Sequence, residues 1–201
     1  MDGRSRHLAL FDFDHTVTRC DTYARFLRRV ATPEQLAGAR WAIGPWLVGY
    51  RAGLVSAAAI RRRVTHFAFA GRDAGDITGL ADTYAREELP GLVRPEALQR
   101  IDWHRAQGHL LVLVSASIDL YLAPWCATHG FDLVCNRLEQ IDGRLTGRYE
   151  GDDLGPHKAR RIRARFDPAG FTRVYAYGDS REDRPMMALA HERWYRGRRI
   201  A

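Results

Sequence analysis

Two aspartates separated by one residue, Asp12 and Asp14, come directly after the apolar run of residues 8–11. Such a run predicts a short buried β-strand. Buried carboxylates are costly unless a cation or hydrogen-bond donors bind them. Mg²⁺ suits this arrangement, because it uses few protein oxygens and keeps water or substrate phosphate in its shell. We therefore predict a Mg²⁺ site at the end of this strand; an Asp-rich turn after a strand is the alternative.

Polar residues follow two further predicted strands. Ser115 follows the apolar residues 110–114, and Asp179 follows the strand predicted over residues 174–177, with Asp183 one helical turn later. The carboxyl ends of parallel strands meet at one edge of a sheet, where doubly wound folds bind their ligands. A helix cap or a turn would explain each feature alone. Their presence at three strand ends predicts one site.

A single lysine, Lys158, stands among 31 basic residues. A compact ammonium suits contact with one phosphate or carboxylate oxygen, where the guanidinium fork of arginine is too wide. We therefore predict that Lys158 belongs to the same site. Survival of one lysine by chance is the alternative.

The elements that must position these residues alternate along the chain. A block with helical periodicity separates the first strand from the rest, and the segment from Thr32 to Gln35 predicts a capping box with proline at the first helical position. After it, strands and helices alternate, and Asp142-Gly143 predicts a hairpin turn. This order predicts an α/β fold with a Rossmann-like doubly wound parallel sheet.

The domain division follows from this order. We predict that residues 1–17 and 91–201 form the core, and that residues 18–90 form a helical cap inserted after the first strand. The chain length of 201 residues fits one core with a small inserted module.

Composition limits the partners and the compartment. The net charge of +7 is built almost wholly from arginine, which indicates a compositional bias, so we expect no nucleic-acid partner. An anionic substrate or an anionic membrane surface is favoured instead. No apolar run reaches the roughly 18 residues that span a bilayer. Three cysteines without CxxC spacing predict reduced thiols. We expect a cytoplasmic protein, with peripheral contact at the inner membrane face as a variant of that expectation.

The motifs Asp12-x-Asp14-x-Thr16, a strand ending in Ser115, Lys158, and Gly178-Asp179-Ser180-x-x-Asp183 resemble the four ordered motifs of the haloacid dehalogenase superfamily. The resemblance covers nearly the whole chain. A helical insertion just after the first motif is similar to the phosphatase branch typified by phosphoserine phosphatase, subfamily IB with a helical C1 cap.

The resemblance implies a Mg²⁺-dependent phosphatase. Asp12 is implied as the nucleophile that forms an aspartyl-phosphate, and Asp14 as the general acid and base. The phosphate-binding residues implied are Ser115, Lys158 and Thr16, with Thr16 bracing the loop. The metal ligands implied are Asp12, Asp14 through its backbone carbonyl, Asp179 and Asp183, the last orienting the others or binding through water. His15 either touches the substrate or fills the loop.

The substrate is left open between a small and an amphiphilic phosphate ester. Asp21 and Arg63 lie where phosphoserine phosphatases grip their substrate's ammonium and carboxylate. Ser115-Ala116-Ser117 replaces the pair of glycines usual there, which argues against phosphoserine. The segments 178–185 and 191–196 are similar to bacterial phosphatidylglycerophosphate phosphatases of the superfamily.

Three alternatives stay open. The aromatic cap segment 39–50 suits a membrane interface, and ordinary packing between cap helices is the alternative. A phosphotransferase or mutase would use the same two aspartates and differ only in which group accepts the phosphoryl. A non-catalytic phosphate-binding module is the remaining alternative.

Overall fold

The computed structural model describes residues 6–200; residues 1–5 and 201, which the sequence assigns to the core, lie outside it. The strands in this part of the chain are β1 (His7–Phe11), β2 (Leu110–Ile118), β3 (Asp132–Asn136), β4 (Leu138–Ile141), β5 (Arg144–Tyr149), β6 (Arg173–Gly178), β7 (Glu192–Tyr195) and β8 (Arg198–Ile200). The helices are α1 (Thr22–Val30), α2 (Pro33–Ala42), α3 (Gly44–Arg51), α4 (Ala57–Phe69), α5 (Ala74–Glu87), α6 (Leu89–Leu92), α7 (Pro95–Ala106), α8 (Asp119–His129), α9 (Lys158–Phe166) and α10 (Arg184–Met187).

A six-stranded sheet in the order β3-β2-β1-β6-β7-β8 forms the centre of the protein. The first five strands of that order run parallel, and β8 is antiparallel to β7. Phe11 at the end of β1 pairs with Leu113 on one side and with Tyr177 on the other. The carboxyl ends of β1, β2 and β6 therefore lie side by side, and the predicted doubly wound α/β fold is confirmed.

The central strand is buried on both faces. Alternation along β1 sends Ala9 and Phe11 to a core cluster formed with the inserted helices, α7 and α8. Leu8 and Leu10 point to a second cluster, formed with α9 and α10. All four side chains are at most 2% exposed. A strand with helices on both faces reads as the continuous apolar run seen in the sequence.

The helices α1 to α6 occupy the insertion between β1 and the helix α7 that precedes β2. The two ends of the insertion lie together, because Thr18 and Val93 form an antiparallel bridge and Arg94 N donates to Val17 O at 2.9 Å. We therefore retain the division into core and cap as a proposal. The capping box of α2 is confirmed: Gln35 N donates to the Thr32 hydroxyl at 3.2 Å, and the Gln35 side chain accepts from Thr32 N at 3.0 Å.

The hairpin β4–β5 is confirmed but packs against the cap. The backbones meet where Gly71 N donates to Leu145 O at 2.8 Å and Leu145 N donates to Arg72 O at 2.9 Å. Gly147 is essential to this contact, since a Cβ there would lie 2.9 Å from the Cα of His66 on α4. Among residues 6–200, every helix is too short or too polar to cross a bilayer.

A chain of histidines lies between α7 and the sheet. Tyr177 Oη is 2.8 Å from His104 Nε2, His104 Nδ1 is 2.7 Å from His109 Nδ1, and His109 Nε2 is 3.0 Å from His7 Nδ1. His104 is fully buried, and burial lowers its pKa to about 3, with further lowering by His109, Arg100 and His7. The imidazole of His104 is therefore neutral in the folded protein.

This neutral histidine makes stability depend on pH. In the unfolded chain its pKa returns to about 6.5, so between that value and about 3 the unfolded state binds more protons. The stability that neutral His104 contributes is therefore lost as the pH falls through that window. We expect the free energy of unfolding, measured in urea, to decline less between neutral pH and about pH 5 in His104→Gln than in the wild type. An equal decline would contradict this assignment.

Candidate active site

The loop after β1 carries both aspartates of the first motif. Asp12 N donates to Tyr177 O at 2.9 Å, so the loop begins in register with β6. Thr18 closes the turn: its backbone N donates to Phe13 O at 3.0 Å, and its hydroxyl donates to Cys20 O at 2.9 Å. In the described part of the chain Thr16 forms no such bond, and its predicted contact with phosphate stays a prediction. Its buried hydroxyl has no hydrogen-bond partner among the described residues.

Lys158 lies at the first turn of α9 and joins two carboxylates. Its Nζ is 2.6 Å from Asp12 Oδ1 and 2.6 Å from Asp183 Oδ1, and all three side chains are nearly inaccessible. Burial raises the pKa of Asp12, and Lys158 opposes that rise. Burial would lower the pKa of Lys158, but the two carboxylates raise it overall. The lysine is therefore charged.

Three carboxylates form a cluster that fits a divalent cation. Asp12, Asp179 and Asp183 each offer an oxygen, and these oxygens lie within 4.8 Å of one another. Burial raises the pKa of half-buried Asp179, with a further rise from Asp183, and a bound cation would relieve both effects. Oxygen ligands are those that Mg²⁺ prefers, so the residues fit it. Coordination by the backbone carbonyl of Asp14 stays a prediction.

Both carboxylate oxygens of Asp183 already accept hydrogen bonds within the protein. Its Oδ2 accepts from Ser180 N at 2.9 Å, from the Ser180 hydroxyl at 2.8 Å and from Asp179 N at 3.1 Å. Burial would raise its pKa, but Lys158 and the Ser180 donors lower it. Asp183 therefore orients Lys158 and the backbone that carries Asp179, as the sequence allowed.

Asp14 is held by uncharged hydrogen-bond donors. Among the described residues, no arginine, lysine or histidine forms an ion pair with it. Its Oδ1 accepts from Thr22 N at 2.6 Å and from the Thr22 hydroxyl at 2.5 Å, and its Oδ2 accepts from the Ser117 hydroxyl at 2.6 Å. Burial raises the pKa of Asp14, and nearby Asp21 raises it further, although these donors oppose the rise. The Ser-Ala-Ser pattern and the first turn of a helix were the signals that could have identified Ser117 and Thr22.

Ser115 lies inside β2, which runs four residues past the predicted end. The register with β3 shifts between Ser115 and Ile118, and Ser117 N donates to Ser115 Oγ at 3.1 Å. Asn136, missed in the sequence, fixes this irregularity: its Nδ2 donates to Ala116 O at 2.6 Å, and its Oδ1 accepts from Leu154 N at 2.8 Å. Asn136 thus links the serine segment to the loop before Lys158.

Arg61 on α4 brings the cap to the core. It donates to both oxygens of Asp153, at 3.0 and 2.8 Å, and to Glu182 at 2.9 Å. Asp153 is 2% exposed, so the pair is nearly dry. Gly155 leaves room for it, since a Cβ there would lie 2.1 Å from Arg61 Nη2. Sequence reasoning missed this ion-pair bridge.

The two cap residues predicted to bind substrate differ in place. Arg63 is not brought to the site: it donates weakly to Ala42 O at 3.4 Å and lies over the ring of Trp46. Asp21 lines the cleft while its carboxylate caps α1 by accepting from Ala24 N at 2.7 Å. His15 is exposed, has a φ of 59° and also lines the cleft.

The cleft between cap and core is small. Its volume is about 190 Å³. Its lining comprises Asp12, Asp14, His15, Asp21, Tyr23, Arg61, Ser115, Ala116, Ser117, Lys158, Asp179, Ser180 and Glu182. A larger cleft of about 580 Å³ shares His15 and Asp179 with it, but its lining lacks Asp12, Ser115 and Lys158. We therefore place the chemistry in the smaller cleft, which can hold a divalent cation and an oxyanion beside two carboxylates.

Comparison with known proteins gives consistent matches over the chain. The family model for haloacid dehalogenase-like hydrolases matches residues 9–188. Protein CicA of Caulobacter vibrioides is 34% identical over 211 residues, which cover 98% of this chain and 90% of CicA. A probable phosphatase of Mycobacterium tuberculosis is 28% identical over 210 residues, covering 94% of this chain and 68% of that protein. A crystal structure of a protein of unknown function from Bordetella pertussis Tohama I matches with a TM-score of 0.80 and 26% identity, covering 94% of this chain and 89% of the other.

The bridge between Arg61 and the core predicts a steric effect at Gly155. Gly155→Ala should lower the free energy of unfolding by about 1–3 kcal/mol, because the added methyl collides with the guanidinium. The loss should shrink in the Arg61→Ala background. Gly79→Ala on α5, where nothing lies within 4 Å of the added Cβ, is the matched control and should be neutral or stabilising. Equal effects of the two glycine substitutions would contradict the collision.

The carboxylate cluster predicts binding of Mg²⁺ to the folded state. Saturating Mg²⁺ should raise the Tm by about 5 °C, because a ligand that binds only the native state stabilises it. Asp179→Asn should remove most of that rise. Asp76→Asn, at an exposed position on α5, should keep it. A full Mg²⁺ effect in Asp179→Asn would exclude Asp179 as a ligand.

Proposed function

The chain belongs to the haloacid dehalogenase-like hydrolase family, and we propose that it is a Mg²⁺-dependent phosphomonoesterase that works through an aspartyl-phosphate. The motif resemblance to this family is thereby confirmed. One observation carries the proposal: Asp12 is ion-paired with Lys158, whereas Asp14 is held only by uncharged donors. Two carboxylates in different settings can take different chemical roles. The name of the mycobacterial relative, a probable phosphatase, supports the same reaction class.

Asp12 is the nucleophile in this proposal. Its Oδ1 contacts Lys158, which favours the ionised carboxylate and holds it in place. Attack on the phosphorus forms an Asp12–phosphorus bond through oxygen, and the bond from phosphorus to the ester oxygen breaks. Water then attacks the same phosphorus, the bond to Asp12 breaks, and inorganic phosphate leaves.

Asp14 moves the protons in both steps. Burial raises its pKa, which favours a protonated carboxyl that can donate to the departing alkoxide. In the second step the carboxylate takes a proton from the attacking water. Ser117 and Thr22 hold it in one orientation throughout, so both transfers use the same geometry.

In this proposal Lys158 and Ser115 contact the phosphoryl oxygens. Both are buried and line the cleft beside Asp12. A fixed ammonium and a fixed hydroxyl stabilise charge that develops on these oxygens during transfer. Asp12 and Asp179 would hold Mg²⁺, with Asp183 behind them. When bound, Mg²⁺ neutralises phosphoryl charge and orients the phosphate for attack.

The cleft favours a small leaving group. Its volume of about 190 Å³ admits the polar end of a substrate, and a lipid phosphate would have to keep its chains outside. Arg61 is paired with two carboxylates and Arg63 lies elsewhere, so neither is available for a substrate carboxylate. We therefore propose a small or amphiphilic phosphate ester, such as the polar end of phosphatidylglycerophosphate, in preference to phosphoserine. The cytoplasmic assignment and the absence of a nucleic-acid partner stay predictions.

Release of phosphate from p-nitrophenyl phosphate and from alkyl phosphates tests the reaction. Asp12→Asn should reduce kcat by about 10³-fold or more, because the nucleophile is lost. Asp14→Asn should affect alkyl phosphates more than p-nitrophenyl phosphate, since nitrophenolate leaves without a proton. Asp76→Asn should keep wild-type rates.

Three outcomes would redirect the proposal. Normal turnover in Asp12→Asn would exclude the aspartyl-phosphate. A wild type that binds Mg²⁺ and phosphate without turnover would favour the non-catalytic module. Faster loss of substrate than release of phosphate, when a sugar phosphate is added, would favour a phosphotransferase.

A further inference from the structure

The cap carries a patch of exposed apolar side chains. Most of the large apolar residues that are exposed in the described chain lie between residues 36 and 54. We call this group the cap patch: Leu36, Trp41, Trp46, Leu47, Val48, Tyr50 and Leu54. The exposed fraction reaches 74% at Trp41, 67% at Val48 and 84% at Leu54. Large exposed apolar patches are rare on soluble monomers and mark sites of interaction, and these side chains are concentrated in one short stretch of the cap.

Packing within the cap does not cover this patch. The helices α2 and α3 contain no buried residue, whereas α1, α4 and α5 each bury at least four. Arginines lie over two of its tryptophans: Arg63 over Trp46, which is 37% exposed, and Arg40 over Trp41, which stays 74% exposed. Packing between cap helices, the alternative left open by the sequence, therefore does not explain the aromatic segment.

Arginines surround the patch. Over residues 33–63 the chain has five arginines and one acidic residue, Glu34. Arg61 is used in the bridge to the core. The other four are exposed and form no ion pair among the described residues: Arg40, Arg51, Arg62 and Arg63. The surface therefore combines tryptophan and tyrosine with unpaired positive charge.

From this combination we propose that the cap patch docks on an anionic lipid bilayer. Tryptophan and tyrosine favour the headgroup region, and arginines are attracted to anionic lipids. A second copy of the chain is a poorer occupant, because a two-fold contact brings the same patch onto itself. Four unpaired arginines would then face four others, with only one Glu34 from each copy to offset them. The helices α2 and α3 are ten and eight residues long, so they rest on the bilayer and do not cross it.

The helix α4 joins this surface to the cleft. Arg61 on α4 lines the cleft, while Arg63, two residues further on, is exposed and lies over the ring of Trp46 in the patch. A docked cap would therefore hold the cleft close to the membrane surface. The proposal concerns binding alone and goes beyond the proposed phosphatase reaction.

Sedimentation with vesicles tests the docking. The full chain should pellet with vesicles of phosphatidylcholine and phosphatidylglycerol at low salt, pellet less as salt rises, and stay in solution with phosphatidylcholine alone. The triple variant Trp41→Ser, Val48→Ser, Leu54→Ser should bind at least about tenfold more weakly, because three exposed apolar anchors are removed. Ile141→Ser, on the exposed hairpin far from the patch in sequence, should bind like the wild type.

A second variant pair tests the charge. Arg40→Gln with Arg51→Gln should weaken binding to the anionic vesicles, whereas Arg163→Gln with Arg198→Gln, the same charge change on exposed positions elsewhere, should weaken it less. These exposed substitutions also serve if the triple variant does not fold, as judged by its Tm. Sedimentation needs no turnover, so its result is independent of the phosphatase proposal.

Three results would overturn the inference. The first is no pelleting of the wild type with anionic vesicles at low salt. The second is undiminished binding in both patch variants. The third is a dimer in sedimentation velocity that the triple variant abolishes, since a second copy would then cover the patch.

Discussion

The buried ammonium of Lys158 between two carboxylates is the interaction on which the site depends. Removing charged groups from water is costly, and a buried carboxylate without its partner destabilises a protein by about 3–5 kcal/mol. Asp12 directly follows β1 and Asp183 lies in the turn after β6, and each contacts the same Nζ at 2.6 Å. The register of β1 against β6 therefore has an electrostatic as well as a packing reason.

That ion-pair cluster needs a rigid frame, and the surrounding residues supply it. Gly178 ends β6 without a side chain, because a Cβ there would lie 2.6 Å from the Cβ of Asp183. Asn136 bonds both to the irregular end of β2 and to the loop before Lys158. Buried polar groups that are fully bonded hold one geometry, whereas partly bonded ones are costly. The frame thus fixes Asp12 before any ligand arrives.

The sequence alone predicted the sheet and the residues at its edge, because motif order and apolar runs are local signals. Contacts across the gap between cap and core were not predictable, since Arg61 and Asp153 are far apart in the chain. The sequence pointed to Arg63 as the arginine of α4 that faces the cleft, but it is Arg61 that lines it. Two residues along an α-helix turn the side-chain direction by about 200°, so Arg61 and Arg63 face nearly opposite sides of α4. Likewise Thr18, and not Thr16, bonds the loop, because only its hydroxyl reaches a backbone carbonyl.

The bridge of Arg61 to Asp153 and Glu182 has a consequence for how the family can diverge. Asp153 is 2% exposed, so a chain that loses the arginine alone keeps a buried, unpaired carboxylate. A chain that gains a side chain at the position of Gly155 loses the room that the guanidinium occupies. Substitutions at Arg61, Asp153 and Gly155 are therefore expected to occur together, although these residues lie in different parts of the chain. Relatives that exchange one cap for another are expected to exchange the Asp153 loop with it.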